Sequence, residues 1–111
     1  MPTQFISFAA AKAMIAEFAN NKEGILDPFY RGQEILPVAE TFKVSELQTI
    51  LGQNDCESLR VYLAMDRDLK VRLVLVGVDS AGDDILPNDC ELIMERGDRC
   101  PPGCSASPLL P

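Results

Sequence analysis

The chain contains no histidine and no tryptophan among its 111 residues. The missing histidine removes Ser-His-Asp triads, Cys-His dyads, HExxH metal sites and imidazole proton shuttles together. Without tryptophan, the commonest stacking platform for bases and sugars is gone. Any catalysis would have to rest on carboxylates, cysteines, tyrosines or lysines. That argues against an enzyme without deciding the matter, and no catalytic residue and no cofactor is assigned.

Other absences narrow the field further. No apolar run approaches the ~20 residues that span a bilayer, and there is no glycine-rich phosphate loop. Bases are scarce, ten against seventeen acids, for a net charge of -7. A general nucleic-acid binder needs a basic surface to displace counterions, so neither nucleic acid nor an anionic membrane is an expected partner. The opening "MPTQFISFAAAKAMIAEF" has no basic region before its apolar stretch and carries Lys12 and Glu17 within it. It does not read as a secretory leader, and a cytoplasmic location is expected.

What is present suits a small globular protein. The hydrophobic fraction is 47% and the charged fraction 24%, enough apolar material for one core at this length. "SFAAAKAMIAEFANN" (7–21) predicts a helix with Ser7 as N-cap and a core stripe of Phe8, Ala11, Met14, Ile15 and Phe18. "EILPVAETF" (34–42) predicts a short strand, which Pro37 restricts to an edge or a bulge. "KVSELQTILGQ" (43–53) predicts a second helix ending at Gly52. "SLRVYLAMD" and "KVRLVLVGVD", joined by "RDL", predict a β-hairpin whose second strand is covered on both faces. A third strand is expected around 91–95. The fold class is therefore α+β: two helices packed on a small, mostly antiparallel sheet with a central hairpin. Residues 1–97 form the domain and 98–111 a Pro/Cys-containing tail, with 1–5 and 98–111 expected to be loose.

Chemistry could reside in three places. The cysteines are Cys56, Cys90, Cys100 and Cys104, and Cys90, Cys100 and Cys104 are the candidate metal ligands. There is no CxxC, and the one C-x3-C, in "RGDRCPPGC", holds two prolines, a poor pattern for zinc. A disulfide between Cys100 and Cys104 is sterically allowed, and Arg96 and Arg99 could lower a thiol pKa there. The turn "GVDSAGDD" gathers Asp79, Asp83 and Asp84, but lacks the spacing of a calcium loop. It opens an acidic stretch, Asp79 to Glu95, that reads either as a solvated face or as a docking surface for a basic partner. Arg60 and Tyr62 share a face of the hairpin, with Arg72 opposite them.

"LRVYLAMDRDLKVRLVLVGVDSAGDDIL" and the ending "CPPGC" resemble a group of short bacterial proteins that carry an R-[VI]-Y strand, a following V-G-x-D strand and a C-terminal CPPxC. Arg60, Tyr62, Asp79, Cys100 and Cys104 match that pattern. The group has no assigned activity, so the resemblance implies no site role; it implies only that the cysteine-bearing tail is a family feature.

The leading expectation is a non-enzymatic interaction module, binding a protein partner or itself as a homodimer through a strand edge and the acidic face. Pro37 and the hairpin charges would blunt one edge, leaving at most one for pairing. The interaction candidates are Arg60, Tyr62, Asp79, Asp83 and Asp84. The alternative is a thiol redox or zinc-responsive protein using the CPPGC cysteines.

Overall fold

A computed structural model describes residues 4–86, 97–104 and 106–110. The elements run α1 (Phe8–Asn21), a 3-10 turn (Pro28–Tyr30), β1 (Ala39–Thr41), α2 (Val44–Leu51), β2 (Cys56–Met65), β3 (Val71–Asp79) and β4 (Asp98–Cys100). The class is α+β. The strands divide into two antiparallel pairs, β1 with β4 and β2 with β3.

Ser7 caps α1 as expected, its Oγ accepting from the Ala10 N–H at 3.0 Å. The stripe predicted to be core is only partly so: no α1 residue is fully buried, and Phe8 and Met14 remain exposed. Phe18, itself partly exposed, borders a recess of about 230 Å³ shared with β1 and the hairpin, and Ile15 borders another of about 230 Å³ shared with β1 and the C-terminal tail. The shorter α2 packs on β2 and β3 and inserts Ile50, only 1% exposed. Gly77 permits this approach. A Cβ there would lie 3.0 Å from Cys56 Sγ and 3.4 Å from Ile50 Cγ2.

β3 is the buried strand: Leu75, Val76, Gly77 and Val78 are buried in succession, so both its faces are covered. Its hairpin turn is built by Asp66, whose Oδ1 accepts from the N–H groups of Asp68 (2.9 Å) and Lys70 (3.1 Å).

The tail is not loose from its first residue. Asp98–Cys100 pairs with β1, setting Cys100 opposite Ala39 and Arg99 opposite Glu40, and both Arg99 and Cys100 are buried. The physical reason is polar. The Arg99 guanidinium donates to the carbonyls of Glu34 (2.9 Å) and Ile35 (3.1 Å), tying the tail to the chain before β1. The third strand expected around 91–95 lies outside the described residues.

The two sheets meet at a charged joint that composition could not disclose. The Glu40 side chain is fully buried, with Oε1 3.2 Å from Arg72 Nε. Its Oε2 accepts from the Leu73 N–H at 3.3 Å, and Arg72 also donates to the Gly97 carbonyl at 3.1 Å. A buried carboxylate is tolerable only when so matched.

Candidate functional site

Residues two apart on a strand share a face, which puts Arg60 and Tyr62 side by side on β2. The chain after β3 folds back on them, because the Ile85 N–H donates to the Gly77 carbonyl at 2.8 Å and Asp84 bridges to Val78. Asp84 thus lands over the pair. Arg60 Nη1 sits 2.7 Å from Asp84 Oδ1, Arg60 Nη2 donates to the Gly82 carbonyl at 3.3 Å, and the Tyr62 hydroxyl donates to Asp84 Oδ2. The Tyr62 hydroxyl and then the Asp84 carboxylate hold the Arg60 guanidinium above its usual pKa.

Three of the five interaction candidates are therefore brought together, and they satisfy one another. A fourth, Asp79, serves its own turn: its Oδ1 accepts from Ala81 N–H (3.0 Å) and Asp83 N–H (2.9 Å). Asp83 stays exposed. Arg72 lies across the hairpin on the same face, opposite Ala64 and one pair along from Tyr62, and turns its guanidinium to Glu40 and the Gly97 carbonyl.

Among the described residues, the surface that stands open is the outer edge of β2. The Asp66 N–H donates to the Lys70 carbonyl at 3.0 Å, and the ladder continues from there through Ala64↔Arg72, Tyr62↔Val74 and Arg60↔Val76. Hydrogen-bonded and non-hydrogen-bonded pairs alternate in an antiparallel ladder. Even-numbered residues of β2 therefore turn their backbone groups toward β3, and Leu59, Val61, Leu63 and Met65 turn theirs outward.

The outer edge of β3 obeys the same parity and is covered. The Val71 N–H donates to the Ile35 carbonyl (2.8 Å), the Asp79 N–H to the Asp83 carbonyl (2.9 Å) and the Leu73 N–H to Glu40, while Gly77 accepts from Ile85. No comparable bond meets the outward groups of β2 among the described residues. The same four residues carry an exposed apolar row, with Leu63 79% exposed. The alternation of Leu59, Val61, Leu63 and Met65 was visible in the sequence. Which strand would be left unpaired was not.

Cys100 and Cys104 form a disulfide with Cα atoms 4.6 Å apart, so in this state neither is available as a thiolate ligand. Cys90 lies outside the described residues. Among the described residues no group of three or more His, Cys, Asp or Glu side chains could hold a metal ion, and no helix is long and apolar enough to cross a membrane. No protein-family model, curated protein or solved structure matches the chain.

Proposed function

We propose that this chain is a non-enzymatic protein-interaction module whose working surface is the outer edge of β2. The observation that carries the reading is the coincidence, on Leu59, Val61, Leu63 and Met65, of backbone groups without a partner among the described residues and an exposed apolar row. Such an edge offers a partner strand both main-chain hydrogen bonds and side-chain contact. Of the acidic stretch, Asp79 and Asp84 are already engaged within the chain, Asp83 is exposed, and Asp89, Glu91 and Glu95 lie outside the described residues. A photo-crosslinking residue in place of Leu63 tests the reading in cells. Protein adducts are expected there, and not with the same probe in place of Glu46 on α2. Their loss on adding Val61→Pro, which blocks the edge without removing a bond to β3, is also expected. Equal labelling at both positions would defeat the reading.

A second reading, thiol redox control, is favoured by the bond between Cys100 and Cys104. Zinc binding would require that pair to be reduced. Alkylation of freshly lysed cells followed by intact mass tests both. Under the redox reading the two thiols react only after an oxidised fraction is reduced, and that fraction changes with oxidant exposure. A pair found always free, or always bonded, speaks against it.

A further inference from the structure

We propose that the Cys100–Cys104 bond opens and closes by thiol–disulfide exchange at Cys104, with a low-molecular-weight thiol as co-reactant and Cys100 as the resolving sulfur; the inference rests on the redox reading above and names its site. Exchange requires a thiolate to reach one sulfur of the bond, so access selects which is attacked. The two residues differ in that respect. Cys100 is 6% exposed and belongs to β4, opposite Ala39, with its carbonyl accepting from the Val38 N–H at 2.6 Å. Cys104 lies beyond the Pro-Pro-Gly turn and is exposed.

The surroundings of Cys100 reinforce the difference. The recess that it borders is lined in part by the aliphatic side chains of Ile15, Val38, Leu109 and Leu110, which disfavour an anionic thiolate. Neighbouring residues on a strand point to opposite faces, and the Arg99 guanidinium is committed to the Glu34 and Ile35 carbonyls. Arg99 therefore offers Cys100 no counter-charge, and Arg96 lies outside the described residues.

The reaction balances with two thiols. The first thiolate attacks Cys104 Sγ, forming a mixed disulfide there. The Cys100–Cys104 bond breaks, and its electron pair leaves on Cys100 Sγ, which takes a proton from water. A second thiolate attacks the small-molecule sulfur of the mixed disulfide, releasing Cys104 and one oxidised thiol pair. Closure is the reverse: Cys104 attacks the oxidised pair, and Cys100 then displaces the small molecule. The turn favours that last step. The Gly103 N–H donates to the Arg99 carbonyl at 2.6 Å, and a Cβ on Gly103 would lie 2.8 Å from that oxygen. This closure uses backbone alone, so it keeps Cys104 beside Cys100 when the bond is open.

Oxidised glutathione, given to reduced Cys100→Ser and Cys104→Ser near neutral pH, tests the assignment, with the tryptic peptide 100–111 read by mass spectrometry. Cys104 in the first variant should acquire glutathione at least about tenfold faster than Cys100 in the second. The two rates should converge in urea, where burial is gone. In the oxidised wild-type chain, reduced glutathione followed by an acid quench should leave its transient adduct on Cys104. That adduct should resolve in the wild type and persist in Cys100→Ser. The wild-type measurement decides if either variant loses its circular-dichroism signature. Equal rates in the folded variants, a faster Cys100, or a wild-type adduct on Cys100 would overturn the assignment and leave the redox reading standing. A folded chain whose tail bond glutathione never opens would remove both.

Discussion

At the scale of single residues, backbone conformation marks where the chain is under strain. Glu34 has φ +58°, in the left-handed region that costs a side-chain-bearing residue about 1–2 kcal/mol. Its side chain is exposed and makes no hydrogen bond or ion pair among the described residues. Replacing Glu34 with Gly should stabilise the protein by roughly 0.5 kcal/mol, because glycine's larger unfolded-state entropy offsets part of the relief. A higher urea midpoint with unchanged slope would show it, and a lower one would mean that the carboxylate matters. Arg60 illustrates a different point. Its pKa is raised by Tyr62 and Asp84, so its contribution to folding is fully present below its unfolded value and fades only as pH rises through the folded one. Both lie far into the alkaline range. Arg60 therefore lends the fold no pH dependence near neutrality.

At the scale of elements, the joint between the two sheets depends on a close approach. A Cβ on Gly97 would lie 2.6 Å from Glu40 Cγ and 2.8 Å from the Phe42 ring. The Gly97 carbonyl is also a partner of Arg72. Gly97→Ala must displace Glu40 from Arg72 and should cost about 1–3 kcal/mol, as overpacking usually does. Urea unfolding of the variant measures this. A change within error would show that Glu40 can shift freely and that the joint is less tight than its distances imply. Gly77 is a milder case, since the nearest groups are the side chains of Cys56 and Gln53, both at 3.0 Å.

At the scale of the whole molecule, the apolar material is unevenly used. Among the described residues the buried hydrophobics are Ile35, Ile50, Leu75, Val76, Val78 and Cys100, a thin core for a chain of 111 residues. Large side chains on β2 and α1 remain exposed. The division predicts contrasting costs. Ile50→Ala should destabilise by about 2–4 kcal/mol through the cavity it leaves. Leu63→Ala, at an exposed site, should leave intrachain stability within about 0.5 kcal/mol while weakening association. Unfolding measured at high dilution, where association is absent, separates the two effects. Equal losses at both positions would mean that the β2 row is part of the monomer core.

Local patterns carried much of the fold. The Ser7 cap, both helices, the hairpin and the two-sided burial of β3 follow from short-range rules: a hydroxyl before an apolar period, a glycine stop, and β-rich runs around a turn. These depend on neighbours within a few residues, and such neighbours are always written in the chain. What the sequence could not determine was pairing at a distance. Which carboxylate Arg72 reached, whether Arg99 hung in a loose tail or reached back to Ile35, and whether Asp84 met solvent or Tyr62 all turned on residues 22 to 64 positions apart. The open edge of β2 is the same kind of fact. Its apolar alternation is identical whether a neighbouring strand covers it or not, and only the tertiary arrangement, which supplies partners to β3 and none to β2 among the described residues, decides.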